Sequence, residues 1–171
     1  MHISGRFLIF ATFAFLSGCA GETQRAVDYN NAIIAVQSDI TVSLNRLDSA
    51  VYSDDPVRMN AELDNYVNAL ARAETNISEL GPFPSDTAFY QATVGLIDRF
   101  KELGKGYDSV IHILQLPAAA MDTSMQNRAF AYKREIFTGY ADAHRSFLAA
   151  QLEFAVKNKF VLKQQESEVR Q

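Results

Sequence analysis

The sequence predicts an all-α protein with the fold of an up-down-up-down antiparallel four-helix bundle, and three observations lead there. Apolar residues recur at intervals of three and four along most of the chain, whereas period-two alternation is nearly absent. This spacing falls into four long amphipathic segments. Three short connections separate the segments, and short connections favour antiparallel neighbours in a bundle.

The first two predicted helices cover residues 22–53 and 56–80. Asp55 is placed to cap the second helix, and Pro56 to occupy its first position. Gly81 suits the left-handed position that follows a helix end. The two apolar stripes comprise Tyr29, Ile33, Val36, Ile40, Leu44, Leu47 and Val51 in the first helix, and Met59, Leu63, Tyr66, Leu70, Ala73, Ile77 and Leu80 in the second.

The third predicted helix opens at Ser85 or Asp86 and is closed by Pro117. Its face repeats every seven residues, the period of bundle packing. Gly104 and Gly106 lie inside it, where they either kink the helix or let a neighbouring helix approach closely. The predicted face comprises Phe89, Thr93, Leu96, Phe100, Leu103, Tyr107, Val110 and Leu114.

The fourth predicted helix begins with Thr123-Ser124-Met125-Gln126, a capping-box pattern, and runs to about Phe160. Its apolar face comprises Ala129, Tyr132, Ile136, Tyr140, Ala143, Phe147, Ala150 and Phe154. A second line of Phe130, Phe137 and His144 widens that face. The predicted bundle therefore spans residues 22–163, and the polar tail 164–171 is expected to fray.

Residues 1–18 have the organisation of an export signal. Arg6 supplies a positive charge, and residues 7–16 form an apolar run of ten residues interrupted only by Thr12. A run of about 7–15 residues suits a signal peptide, whereas a membrane-spanning helix needs roughly 20. The sequence predicts that this segment is removed, and that residues 19–21 form a short tether before the bundle.

Leu16-Ser17-Gly18-Cys19 resembles the bacterial lipobox. The resemblance implies cleavage between Gly18 and Cys19, a diacylglyceryl thioether on the Cys19 sulfur, and acylation of the freed amine. Cys19 is the only cysteine in the chain, and lipidation accounts for a lone thiol in an exported protein. The alternative is a plain secreted protein with a chance cysteine at its new N-terminus.

Charge and composition limit the expected partners. Loss of Arg6 with the leader changes the net charge from −4 to −5, which argues against nucleic acid. The sequence has no polybasic cluster for anionic lipid, so the membrane is expected to be reached through the lipid. Another envelope protein is a possible partner. We expect the cell envelope, with the outer membrane favoured because Ala20 is not the aspartate of some inner-membrane lipoproteins; the leaflet stays open.

The sequence offers no pattern typical of an enzyme. Glu-x-x-His pairs of di-iron bundles, Gly-rich phosphate loops and Gly-x-Ser-x-Gly turns are all missing. Asp108 and His112 share a helix face, but the spacing turns His112 outward and favours a surface pair. We therefore expect a non-catalytic protein without metal or cofactor beyond the lipid on Cys19.

Three polar residues flank the stripe of the first helix: Asn30, Gln37 and Thr41. If they are buried, they need partners from other helices, since an unpaired buried amide costs about 1–3 kcal/mol. They either fix the helix register or line a small polar pocket, to which His144 would contribute. The pocket leads to the alternative function, an envelope protein that binds a small ligand or metal.

The connection at residues 114–121 is unusually apolar for a loop. It either plugs the end of the bundle or presents a contact surface for a partner.

The opening of the predicted bundle, Ala26-x-x-Tyr29-Asn30-Asn31-x-Ile33 with Gln37 beyond, resembles the first helix of a family of small bacterial surface lipoproteins of unknown function. The resemblance extends in pattern over residues 26–160, including the Pro-x-Pro turn at residues 82–84. It implies a lipid-anchored helical bundle with no catalytic residues to transfer.

Overall fold

The computed structural model describes residues 17–53, 55–117, 120 and 122–162, without the side chains of residues 17–20, 126, 136 and 137. The predicted all-α class is confirmed, because four helices pack together: α1 (Ser17–Val51), α2 (Pro56–Leu80), α3 (Ala88–Leu114) and α4 (Thr123–Lys157). Within the described ranges there is no β-strand, only an isolated bridge between Phe83 and Asp86. Residues 1–16 of the predicted leader, residue 163 and the predicted tail 164–171 lie outside the described residues.

The ends of α2 follow the predicted signals. The Asp55 carboxylate accepts hydrogen bonds from the amides of Val57 and Arg58, at 3.0 and 3.2 Å, and Pro56 is the first helical residue. Gly81 follows the helix with a φ of +63°, a value that costs an L side chain but not glycine. The α2 boundaries could therefore be derived from local backbone chemistry alone.

The boundaries of the other helices differ from prediction. α1 begins at Ser17, so residues 19–21 are helical in the full chain. α3 begins only at Ala88, whose amide donates to the Asp86 carboxylate at 2.9 Å. The cap of α4 is Asp122, which accepts from the Met125 amide at 2.8 Å. Aspartate caps at least as well as threonine, so the helix starts one residue before the predicted capping box would allow.

An aromatic cluster closes one end of the molecule, which we call the near end. It is formed by the first half of α1, the connection 81–87, the start of α3 and the end of α4. The Phe154 ring lies 5.6 Å from Tyr29, 5.2 Å from Phe83 and 5.1 Å from Phe89, measured between centroids. All four residues are buried. Aromatic pairs at these separations add about 0.5–1.5 kcal/mol beyond area burial, so the near end is a tightly packed part of the core.

The first half of α4 is less buried than predicted. Phe130 is 69% exposed and Tyr132 is 37% exposed, so the expected second apolar line does not face the core at Phe130. Leu114, expected at the end of the α3 face, is 36% exposed. α4 packs chiefly on α3, and α1 touches it at few places. The described helices therefore leave these side chains partly uncovered.

Tyr66 and Gly104 set the spacing between α2 and α3. Tyr66 is fully buried, and its hydroxyl donates to the carbonyl of Phe100 at 2.8 Å. A Cβ placed on Gly104 would lie 3.2 Å from Cε1 of the Tyr66 ring. α3 continues without interruption through residues 104–106, which favours close approach of a neighbouring helix over a kink.

Two glycines of α3 provide a matched test of this contact. Gly95 is exposed, and nothing lies within 4 Å of the position of an added Cβ. Gly95→Ala is therefore expected to raise the free energy of unfolding by about 1 kcal/mol, because alanine is the better helix former. Gly104→Ala is expected to gain less, because the added methyl group would lie 3.2 Å from the buried Tyr66 ring, which must shift to make room. Urea denaturation of both variants measures the difference, and an equal gain at both positions would contradict the proposed role of Gly104.

Candidate functional site

The polar residues of α1 lead to a buried pair with α4. Asn30 and Gln151 are each 7% exposed. The side-chain amide of Gln151 donates to Oδ1 of Asn30 at 2.9 Å, and Nδ2 of Asn30 lies 3.4 Å from Oδ1 of Asn31. Asn30 thus finds the partner on another helix that burial requires. The sequence interpretation missed Gln151, although it lies four residues after Phe147 and three before Phe154, at a core spacing.

A second polar contact lies one seven-residue step from the Asn30–Gln151 pair, before Asn30 in α1 and after Gln151 at the end of α4. The Thr23 hydroxyl donates to the carbonyl of Asn158, the residue that follows α4, at 3.2 Å. One more seven-residue step along each helix leads to Gln37 and His144, which are both half-buried. We call the two hydrogen-bonded contacts, Thr23 with Asn158 and Asn30 with Gln151, the polar seam.

The predicted pocket residues do not meet at one point. The Thr41 hydroxyl donates to the Gln37 carbonyl of its own helix at 2.9 Å. The His144 ring stacks on Tyr140, with centroids 5.5 Å apart and an interplanar angle of 12°. Burial raises the pKa of Tyr140, as expected for a packing residue. Asn30 binds Gln151 instead, so the arrangement favours helix register over a shared ligand pocket.

An open groove lies at the near end, between the start of α3 and the last turns of α4. Its apolar lining includes Pro84, Ala88, Leu152 and Val156. Lys157 closes one side of the groove. Such a groove offers apolar surface beside a fixed cation.

The Lys157 contacts tie the end of α4 to the connection before α3. The ammonium group donates to the Ser85 carbonyl at 2.7 Å and to the Asp86 carboxylate at 3.0 Å. Burial of Asp86 acts to raise its pKa, but the hydrogen bonds from Lys157 and from the Ala88 amide outweigh burial and lower it. Asp86 is thus held as an ionised acceptor, which is a structural role.

The described residues hold neither of two common functional features. Among them, no three His, Cys, Asp or Glu side chains come close enough to hold a metal ion. None of the helices in the described part of the chain is both long and apolar enough to cross a membrane. Gly18 and Cys19, the predicted cleavage and lipidation residues, lie in the first turn of α1 with their side chains outside the description.

The Asn30–Gln151 pair can be tested by a double-mutant cycle. Asn30→Leu and Gln151→Leu are each expected to lower the free energy of unfolding by about 1–3 kcal/mol, because each leaves the other amide buried without a partner. The double variant is expected to lose less than the sum, with a coupling of about 0.5–3 kcal/mol. Urea denaturation gives all three values. Thr41→Val, whose hydroxyl bonds only its own helix, serves as control and should change stability by less than about 0.5 kcal/mol; strict additivity would show that the pair does not couple α1 to α4.

Tyr29 makes the near end sensitive to alkaline pH. Its hydroxyl donates to the Gly81 carbonyl at 2.8 Å, and burial raises the pKa of Tyr29 to about 12. Because the folded-state pKa is raised above the unfolded value of about 10, the stabilisation is complete below pH 10 and is lost as the pH rises towards 12. The stability difference between wild type and Tyr29→Phe should therefore be constant below about pH 10 and shrink above it. Urea denaturation across this range measures it, and a difference independent of pH would refute the assignment.

Comparison with known proteins found no matching family model, no matching curated protein and no matching solved structure. The resemblance to small bacterial surface lipoproteins therefore stays a prediction from the sequence.

Proposed function

We propose that the chain is a lipid-anchored protein of the bacterial cell envelope, a four-helix bundle that acts as a non-catalytic interaction or structural module. The observation that carries this proposal is Leu16-Ser17-Gly18-Cys19 at the end of a ten-residue apolar run, with Cys19 the only cysteine in the chain. An odd cysteine in an exported chain otherwise indicates intermolecular pairing or a free reactive thiol, and its position at the end of the apolar run favours lipidation.

In the architecture that we propose, the helices run up, down, up and down, each antiparallel to the next. Contacts at both ends of the molecule support this arrangement. At the near end, Thr23 meets Asn158 and Lys157 meets Asp86. At the other end, Asn60 near the start of α2 accepts a hydrogen bond from Gln115 after α3, at 3.1 Å. Helix starts thus lie beside the ends of other helices.

The same contacts support a position for the anchor at the near end. Cys19 is four residues before Thr23 in α1, and four helical residues span about 6 Å. Acyl chains on Cys19 would therefore emerge beside the end of α4. The near end would lie against the membrane, and Leu116 and Pro117, which follow α3, would lie at the opposite end. We favour the outer membrane because of Ala20.

A non-catalytic role is supported by what the polar groups of the core do. Burial raises the pKa of Tyr66 and of Tyr107, yet each hydroxyl is used in packing. Tyr66 donates to a helix carbonyl, and Tyr107 donates to the carboxylate of Asp48 at 2.8 Å. A perturbed pKa marks a candidate active site only where it lies in a cleft, and these groups link helices instead.

An interaction role is supported by the end of the molecule that would face away from the membrane. Phe130 and Tyr52 are each 69% exposed there, and Val57 is 78% exposed. The Lys133 ammonium group lies 4.3 Å from the centroid of the Tyr52 ring. Exposed aromatic rings near a cation are the kind of residues that contribute most to protein interfaces.

The anchor is tested by Cys19→Ala in bacterial cells grown with labelled palmitate. The wild-type protein should carry the label and fractionate with the membrane. Cys19→Ala should carry no label and either stay uncleaved or leave the membrane, because the acceptor sulfur is gone. Ser17→Ala keeps a small residue before the cleavage site and serves as control, since it should be labelled like wild type. A cleaved Cys19→Ala protein that stays in the membrane would overturn the proposed anchor.

A further inference from the structure

The last third of α4 carries a line of exposed apolar side chains that the core does not use. Leu148, Leu152 and Val156 are 46%, 57% and 69% exposed. They are four residues apart, so they share one helix face over a length of about 12 Å. Val161 follows the helix and is 91% exposed. We call Leu148, Leu152 and Val156 the α4 stripe.

The other described helices have no comparable line. α2 exposes Val57 and Val67, which are ten residues apart and fall on different faces, and α1 exposes Val42. Single exposed aliphatic residues are normal on a protein surface, whereas an aligned set needs a partner to cover it. The α4 stripe is therefore a local feature of this helix rather than a general property of the surface.

The charges around the α4 stripe are basic at both ends. Arg145 lies one turn before Leu148, and Lys159 lies just after the helix. Asp142 is 3.6 Å from Arg145 and partly neutralises it. Glu153 and Asp86 line the near-end groove together with Leu152 and Val156. Of these two acids, Asp86 is paired with Lys157 at 3.0 Å, so the acidic charge next to the α4 stripe is partly neutralised.

The position of the α4 stripe relative to Cys19 indicates what covers it. Asn158 accepts the Thr23 hydrogen bond at 3.2 Å, and Cys19 is about 6 Å from Thr23 along α1. A lipid on Cys19 would therefore bring the bilayer surface to the last turns of α4. The stripe begins at Val156, two residues before that contact, and runs away from it.

We propose that the α4 stripe rests on the lipid surface in which Cys19 is anchored, so that the bundle lies tilted with the outer face of α4 against the bilayer. This inference rests on the proposed lipid anchor. An amphipathic helix at an interface buries its apolar face by about 5–10 Å. Three side chains bind a bilayer weakly by themselves, but the anchor keeps them at a high local concentration of lipid.

The test uses the full lipidated protein with one introduced cysteine. Because acylation consumes the Cys19 sulfur, a cysteine at position 152 becomes the only free thiol and takes an environment-sensitive fluorophore. Leu152→Cys is compared with Val67→Cys on α2, because the two wild-type side chains are similarly exposed, at 57% and 53%. Both proteins are reconstituted into vesicles of phosphatidylethanolamine and phosphatidylglycerol, with and without a nitroxide quencher on the acyl chains.

The expected result is that the label at position 152 shifts its emission to the blue and is quenched by the lipid nitroxide, whereas the label at position 67 does neither. Equal emission and equal quenching at both positions would overturn the proposal. A blue shift at position 152 that depends on protein concentration and not on the nitroxide would also overturn it, and would assign the α4 stripe to a second copy of the chain.

Failure of the anchor is distinguishable from failure of the α4 stripe. Two free thiols in Leu152→Cys, with protein that does not float with the vesicles, would show that Cys19 is not acylated and would remove the basis of both proposals. One free thiol in floating protein, with no quenching at position 152, would overturn the contact of the α4 stripe and leave the anchor in place. Circular dichroism of both variants confirms that the exposed substitutions keep the helices.

Discussion

The packing around the Phe154 ring is the interaction on which the rest of the structure depends. Phe154 comes from the last turns of α4, Tyr29 from α1, Phe83 from the connection after α2 and Phe89 from the start of α3. One cluster thus ties all four parts of the chain together at the near end. Because this contact is made there, Thr23 reaches Asn158 and Lys157 reaches Asp86. The weaker polar contacts follow from the aromatic ones.

The interface between α1 and α4 is packed differently from the interface between α2 and α3. α2 and α3 approach closely through Tyr66 and Gly104, whereas α1 and α4 touch at few places and meet through the polar seam. A buried amide pair stabilises less than apolar packing of the same volume, but it accepts only one register, since a shifted helix would leave Asn30 and Gln151 unpaired. The sparse contact also explains why Phe130 is exposed. The sparse, polar contact between α1 and α4 thus accounts both for the single helix register and for the incomplete burial of α4.

Most of the fold could be predicted from the sequence, because apolar spacing and local capping decide it. Six of the seven predicted stripe residues of α1 are buried, and Val36 is the exception. Asp55 and Pro56 begin α2 and Gly81 follows its end, as their backbone chemistry requires. The predictions that were wrong concern how closely two helices pack against each other. Phe130 and Tyr132 are exposed where α1 makes few contacts with α4. The apolar spacing within α4 carries no information about how closely α1 packs on it. Gln151 was missed for a related reason, because its partner is 121 residues away and a polar side chain at a core spacing is informative only when both members of the pair are known.

The net negative charge of the chain would repel it from an anionic bilayer. The distribution of charge and apolar surface at the near end makes this repulsion less important there. Repulsion between an acidic chain and anionic lipid falls off within about 8–10 Å at physiological salt, so only the charges closest to the membrane matter once the chain is anchored. At the end of α4, Asp86 is neutralised by Lys157, and Arg145 and Lys159 bracket Leu152 and its apolar neighbours. A lipid on Cys19 would overcome the long-range repulsion, and the local surface of α4 would then decide which side of the bundle turns towards the membrane.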